Sequence, residues 1–488
     1  MNILVLGATG LIGSHLLRAL RAAGHAATGA SRHAPTGNVA PWRALDFASL
    51  TTQAAWLQHL AGFDAVVNCV GIFRERRAGD FDMLHRAAPA ALFSACERLQ
   101  IRRVIHISAL GSASDGASAY WRSKGAAEDA LRQCSLDSVI VRPSLVYGDD
   151  GASSRLFLSL ATLPVLMLPL AQRARVQPVH IDDLVAALIA LLLASDRHPE
   201  QTGGIRPQSV SQGTVDAALG SDPEAAPAIR KLPLGGIRPR SAPRSAADAA
   251  LGSDPEAAPA AGELPRAGLE LDAVGPRSLS IADYIDALRL GMGAAPAIVI
   301  DLPLPLARLA THAAALHPAS PLTPDTLAML EQGSTADAAP LRALLGRTPR
   351  DPATFARASQ RPAAVLAWGV PLARFVLAVL WLWTAIVSWF GWPHADSAAW
   401  LIACGIPARW SEAMLLSASL LDGAIGIALL LRPRRWLWPL QLALVGGYTV
   451  LMTAYLPGFW LHPFGPLIKN LPLLALMLVL WRLDGKEK

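Results

Sequence analysis

Asn2-Ile3-Leu4-Val5-Leu6-Gly7-Ala8-Thr9-Gly10-Leu11-Ile12-Gly13 stands at the head of the chain, and its reading decides the fold. A short aliphatic run with strand character leads into three spaced glycines, and the amphipathic stretch Ile12–Ala23 follows. Strand, glycine turn and helix in that order form the context in which such a motif carries meaning. Without Cβ atoms at Gly7, Gly10 and Gly13 the backbone can turn tightly and let a diphosphate approach. The first turn of the helix then offers free N–H groups and the positive end of its dipole. The stretch predicts a dinucleotide site at Gly7, Thr9, Gly10, Leu11, Ile12 and Gly13. It also reads as a strand broken by glycine rather than as a signal peptide.

Outward from this motif, strand-like runs at Ala27–Ala30, Trp42–Leu45, Ala65–Cys69, Arg103–Ser108 and Ser138–Val141 alternate with helical patterns such as Leu84–Leu99. That alternation predicts an α/β Rossmann-type, doubly wound parallel sheet covered on both faces. The second run ends in Ser31-Arg32-His33, where binders of NAD usually carry an acidic residue for the ribose hydroxyls. Arg32 offers a planar cation to a 2′-phosphate and Ser31 a hydroxyl donor, so NADP(H) is favoured over NAD(H). Asp46 and Phe47 end the third run, where the adenine would lie, and Cys69, Val70 and Gly71 end the fourth.

Tyr120 and Lys124 stand four residues apart in a helical pattern and so share one face. A nearby ammonium stabilises a phenolate, and the expectation is a tyrosine pKa drawn down towards neutrality, suited to general acid–base work. The lysine can also hold the nicotinamide ribose. With GATGLIG at residues 7–13, Tyr120-x-x-x-Lys124, Val141-Arg142-Pro143-Ser144 and Val146-Tyr147-Gly148, the chain resembles the short-chain dehydrogenase/reductase superfamily. Val104–Gly111 and Pro178–Leu184 are similar to its atypical branch, which includes the NADPH-binding accessory subunit of respiratory complex I. The resemblance spans about residues 1–200 and 267–292. It implies catalytic roles for Tyr120, Lys124 and a serine, and adds Pro143 to the cofactor site. Leu110 stands where the family's substrate-polarising hydroxyl is expected, which leaves Ser108, Ser112 and Ser114 as substitutes, with Ser108 the first choice.

Composition changes along the chain. Apolar residues make up 52% of it and charged residues 16%, and the apolar excess gathers after residue 363. Four spans are expected, Arg374–Phe390, Ser411–Leu431, Trp436–Leu456 and Pro466–Trp481, with tryptophans towards their ends as in an aromatic belt. This all-α four-helix transmembrane part resembles DoxX-like domains, including its ending His462-Pro463-Phe464-Gly465-Pro466. Asp422 falls near the middle of the second span, where a carboxyl should face the bundle interior, either hydrogen-bonding between helices near Tyr448 and Thr449 or titrating there. Gly203–Ala228 recurs as Gly235–Ala260, and Asp216–Ala228 is identical to Asp248–Ala260. Two Ala/Pro/Ser-rich copies read as a duplicated low-complexity insertion rather than a solenoid.

The expected organisation is therefore a Rossmann domain at 1–202 and 267–292, the insertion at 203–266, a helical connector at 293–362 and the membrane domain at 363–488. Basic residues Arg432, Arg434 and Arg435 between two spans favour a multi-pass protein of a bacterial-type inner membrane with its soluble domain in the cytoplasm. The net charge of +6 is not gathered into a stripe, which argues against nucleic acid. Cys69, Cys96, Cys134 and Cys404 lie far apart, so neither a zinc site nor a disulfide framework is expected. Three function classes remain. The first is a membrane-anchored NAD(P)H-dependent oxidoreductase acting on a small or lipophilic carbonyl or alcohol, a quinone among the candidates. The second is a non-catalytic NADPH-binding assembly or sensing protein within a membrane-protein complex. The third is a nucleotide-sugar epimerase or dehydratase.

Overall fold

The computed structural model describes residues 1–35, 41–194, 268–315, 323–432, 434–463 and 465–484. The duplicated segment at 203–266 lies outside the described residues. The chain divides into two compact units, one of residues 1–154, 167–287 and 299–355, the other of residues 155–166, 288–298 and 356–488.

The first unit is built on a seven-stranded sheet whose paired strands all run parallel. β1 (Asn2–Leu6) lies centrally, with β2 (Ala26–Ser31) and β3 (Trp42–Ala44) on one side. On the other side follow β4 (Ala65–Asn68), β5 (Arg103–Ile107), β6 (Ser138–Pro143) and β7 (Leu269–Ala273). Side chains alternate across a strand, so β1 feeds two cores. Ile3 and Val5 pack with Leu16 and Leu20 of α1 (Leu11–Ala22). Leu4 and Leu6 pack with the layer of α2 (Gln53–Leu60), α3 (Ala88–Arg98) and α4 (Ala119–Arg132). Helices on both faces bury the inner strands β4 and β5 along their whole length, which explains their near-continuous aliphatic runs, while the edge strands are partly exposed. Behind α1 lies α5 (Ile181–Leu193), whose Leu184 and Leu188 join the first core. The strand after the insertion returns to the sheet edge in register, Leu269 opposite Val139 and Ala273 opposite Pro143. Arg132 and Arg142 both pair with Glu270 there, and both also reach the buried Glu128.

Of the expected connector at 293–362, residues 299–355 belong to the first unit. Leu341 is fully buried in the first core, and Phe355 stacks on Tyr147 at 4.9 Å between ring centroids. Asp183, itself fully buried, accepts from the Arg347 guanidinium and from the backbone N–H of Arg350. A buried carboxylate needs such donors, and they come from this stretch. The apolar run at 156–170 forms the end of a helix, Ala152–Leu160, and a strand, Val165–Pro169.

The second unit carries α6 (Arg361–Ile386), α7 (Ala408–Leu431), α8 (Leu437–Tyr455) and α9 (Asn470–Leu483). Among the described residues three helices are long and apolar enough to cross a membrane: Ala358–Gly391, which contains α6, then α7 and α8. The fourth expected span, Pro466–Trp481, is corrected to the 14-residue α9, roughly 21 Å long at ~1.5 Å per residue and so short of a ~30 Å hydrocarbon core. The helix begins only at Asn470, after a turn that follows Gly465. Leu377, Trp381, Ile425, Trp438, Val445, Met477 and Leu480 bring all four helices into one core. Gly426 lets α6 and α7 cross closely, since a Cβ there would meet Leu382 Cγ at 2.7 Å.

Polar side chains inside this bundle are mostly paired. Trp381 Nε1 donates to Gln441 at 2.8 Å, and Asn470 Nδ2 to Thr449 Oγ1 at 2.9 Å. Asp422 does face the interior, but it makes no hydrogen bond to the described residues. Thr449, one of its expected partners, donates to the Val445 carbonyl and is held by Asn470.

Candidate functional site

The glycine turn forms at the carboxyl end of β1. Gly7 has φ +72°, and a Cβ on it would lie 2.9 Å from the Cys69 carbonyl. At Gly13 a Cβ would lie 2.4 Å from the Gly7 carbonyl oxygen. Gly10 donates to that oxygen at 2.9 Å and caps α1 without a side-chain hydrogen bond, and no acidic residue occupies the first turn. The opening N–H groups of α1 are thus left for another acceptor. A helix start without a carboxylate, against a cradle no Cβ could share, suits a diphosphate. Thr9 is exposed at the mouth, and Leu11 is packed by the edges of Gly148 and Gly151.

At the end of β2 the expected residues divide. Arg32 is exposed and has no partner among the described residues, whereas the Ser31 hydroxyl donates to the His33 carbonyl at 2.6 Å. Asp46 caps a short turn by accepting from the Ala48 N–H, and Phe47 is buried edge-on against Trp56. Asp46 therefore stays at the surface while the Phe47 ring is committed to the core.

Lys124 joins the remaining parts. Its Nζ donates to the Ile107 carbonyl at the end of β5, 3.0 Å away, and more weakly to the Val70 carbonyl after β4 at 3.5 Å. Gly71 is tight against it: a Cβ there would be 3.2 Å from Nζ. Contacts therefore run from Gly7 through Cys69 and Val70 to Lys124, one turn below Tyr120 on α4. Burial lowers the Lys124 pKa to about 8, opposed by the neighbouring Cys69 and Glu128. Burial likewise pushes the Cys69 thiol up to about 12, against the pull of Lys124. Cys69 is a wall of the site and not a nucleophile.

Tyr120 departs from expectation. Its pKa is raised to about 12 by burial, not drawn towards neutrality. The physical reason is its surroundings: Phe73, Phe81 and His85 place their rings 5.4, 6.0 and 5.7 Å from its own, while the lysine ammonium is engaged by two carbonyls. The phenol hydroxyl has no hydrogen bond among the described residues, and the buried Ser108 hydroxyl just past β5 has none either. Leu110 cannot replace it, and its backbone is used: its N–H donates to the Pro143 carbonyl and its own carbonyl accepts from Trp121 Nε1. Pro143 acts through backbone at the end of β6. Ser112 Oγ is also unpartnered, and Ser114 is exposed.

His85 and Ser123 were missed by sequence reasoning. His85 Nε2 accepts from the Ile72 N–H at 3.0 Å, so the neutral ring donates from Nδ1 to Ser123 Oγ at 2.9 Å; Ser123 in turn donates to the Tyr120 carbonyl at 2.8 Å. Burial, then Lys124 and His106, hold the His85 pKa at about 2, so it stays neutral. It sits in a π-helical turn, Asp82–Ala87, which breaks the 3.6-residue period that would have flagged it. A histidine inside an otherwise apolar helical face was the only signal.

Residues 3–202 match the model of the NAD dependent epimerase/dehydratase family, and residues 378–478 that of the DoxX-like family. A ceramide reductase of Caulobacter vibrioides is 32% identical over 191 residues, covering 38% of this chain and 59% of that protein. The alpha subcomplex subunit 9 of mitochondrial NADH dehydrogenase [ubiquinone] 1 from Mus musculus is 27% identical over 127 residues, covering 26% of this chain and 34% of that protein. The match thus spans less than two thirds of the length of either relative. Among solved structures, MoeE5 in complex with UDP-glucuronic acid and NAD is similar with a TM-score of 0.45 at 16% identity, covering 74% of this chain and 100% of that one. The chain carries a domain of the NAD dependent epimerase/dehydratase type at its start and a DoxX-like domain near its end.

Proposed function

We propose that this chain is a membrane-anchored NAD(P)H-dependent oxidoreductase that acts on a lipophilic carbonyl compound in the reducing direction. One observation carries the reading. Lys124 ties the end of β5 to the loop after β4, beside a Tyr120 hydroxyl and a buried Ser108 hydroxyl that have no partner in the described chain. A buried hydroxyl left without a partner, as that of Ser108 is among the described residues, is costly unless a ligand completes it.

The cofactor would be held by the turn Gly7–Gly13, with Arg32 towards a 2′-phosphate, Val70 and Gly71 along its length and Lys124 at the nicotinamide ribose. When bound, it supplies the hydride for the carbonyl carbon. Ser108 would hold the carbonyl oxygen by a hydrogen bond, and Tyr120 would deliver its proton to that oxygen as the alkoxide forms. A phenol pushed up to about 12 is fully protonated at neutral pH, which suits a donor and hence reduction. Lys124, one helical turn from Tyr120 on α4, would supply the positive charge that stabilises the phenolate left behind. His85 and Ser123 fix the backbone of the first turn of α4, so the phenol is placed before substrate arrives. The preference for NADP(H) rests on Arg32 and the absence of an acidic residue at the end of β2.

A lipophilic substrate is favoured by the aromatic surroundings of Tyr120 and by the apolar helices in the same chain, and the ceramide reductase similarity points the same way. We place the protein in a bacterial-type inner membrane with the first unit in the cytoplasm, where NADPH is available. A nucleotide-sugar epimerase is the second reading, favoured by the family model over residues 3–202. The experiment is NADPH consumption by the full chain in lipid nanodiscs, against long-chain ketones, aldehydes, quinones and UDP-sugars. Consumption with a ketone or aldehyde supports the reductase. Isomerised UDP-sugar without net cofactor consumption supports the epimerase.

A further inference from the structure

Phe73 is 57% exposed although its ring packs against that of Tyr120 at a centroid distance of 5.4 Å. An aromatic left this wet on a floppy loop would need no explanation. Here the loop is held on both sides. Before Phe73, the Ile72 N–H is fixed by His85 Nε2 at 3.0 Å. After it, the Asp80 carboxylate accepts the N–H groups of Arg76 and Arg77 at 3.0 and 2.9 Å. Glu75 accepts those of Gly79 and Phe81 at 3.1 and 2.8 Å. Two acidic side chains are thus spent on building the loop. The Phe73 side chain is presented to solvent against the Tyr120 ring.

A rigid aromatic whose ordering cost is already met in folding is suited to recognition, because binding loses little further entropy. Its place decides what it can recognise. Tyr120 would meet the reacting oxygen, so Phe73 meets whatever the substrate carries beyond the carbonyl. We propose that Phe73 is a specificity-determining residue that packs on a hydrocarbon chain attached to the carbonyl, so that the site selects long-chain over short-chain carbonyl compounds. This rests on the carbonyl-reductase reading given above and names the substrate class for that same site.

The test compares the full chain in nanodiscs with 2-hexadecanone and 2-butanone as probes, reading the ratio of their kcat/KM values with NADPH. Partition into lipid affects wild type and variant alike and so cancels in the comparison. Phe73→Ala is expected to lower the long-to-short ratio about tenfold, and Phe73→Leu, which keeps an apolar contact, to hold it within about threefold of wild type. NADPH affinity and Tm, measured on the same samples, report whether each variant is folded. An unchanged ratio in Phe73→Ala, or equal loss on both ketones, overturns the proposal and leaves Phe73 as a support for Tyr120. A wild type that reduces no ketone of either length overturns the reductase reading itself, and the proposal with it.

Discussion

Lys124 holds its ammonium between the Ile107 and Val70 carbonyls, and burial brings its pKa down to about 8. The charge is therefore lost as pH rises through that value, while Tyr120, pushed up to about 12, remains a proton donor. If the ammonium supports the phenolate, kcat/KM for reduction should fall about tenfold for each pH unit above about 8, with no separate tyrosine limb until far higher pH. A profile flat to about pH 10 would remove Lys124 from that role. Arg32 gives the second prediction at this scale. It is exposed and without a partner among the described residues, so Arg32→Asp should leave the fold alone and weaken NADPH binding by about 1.5–3 kcal/mol, roughly 10- to 150-fold, while NADH binding holds or improves. Titrating both cofactors against the two proteins checks it, and an unchanged preference contradicts the assignment. Ser31 is not expected to share the task, because its hydroxyl already serves His33.

The elements were legible where a period or a spacing carried them. Asn2–Leu6 was read to its ends, and the five other expected strands to within a residue or two, because buried parallel strands are aliphatic runs bounded by turns; short strands such as Val165–Pro169 and Ile298–Leu302 were not read. Gly13 shows how local sequence sets the site: a Cβ would sit 2.4 Å from the Gly7 carbonyl oxygen, so α1 can approach the turn only at a glycine. Gly13→Ala should cost about 1–3 kcal/mol of stability by overpacking and reduce NADPH affinity at least tenfold, read by Tm and by titration. An alanine variant that binds as wild type would show that the turn is not the cradle. Tyr120 and Lys124 were legible as a pair because four residues make one helical face. His85 and Phe73 were not, since a π-helical turn and a loop held by side-chain carboxylates leave no period to read, and Ser123 on α4 gains its part only from His85, 38 residues away in sequence. The sense of the Tyr120 shift was also hidden, because it depends on rings brought together from residues 73, 81 and 85.

Across the whole molecule, the two-part character was readable from the rise in apolar content, but the boundaries were not. Residues 299–355 look like a connector in sequence because their helices are short and proline-rich. The buried Leu341, the Phe355–Tyr147 stack and the arginine partners of Asp183 reveal that they complete the first unit. The last apolar stretch was long enough to suggest a span, yet the helix within it begins only at Asn470. A protonated phenol, a serine hydroxyl without a partner among the described residues and an aromatic surround make a specific demand on the chemistry. The direct measurement is product formation by the full chain in nanodiscs with NADPH and a long-chain ketone, for wild type and Tyr120→Phe side by side. The account predicts one alcohol formed per NADPH consumed by wild type, and a rate at least 100-fold lower in Tyr120→Phe with NADPH binding within about twofold of wild type. Alcohol formation by Tyr120→Phe at the wild-type rate would contradict it.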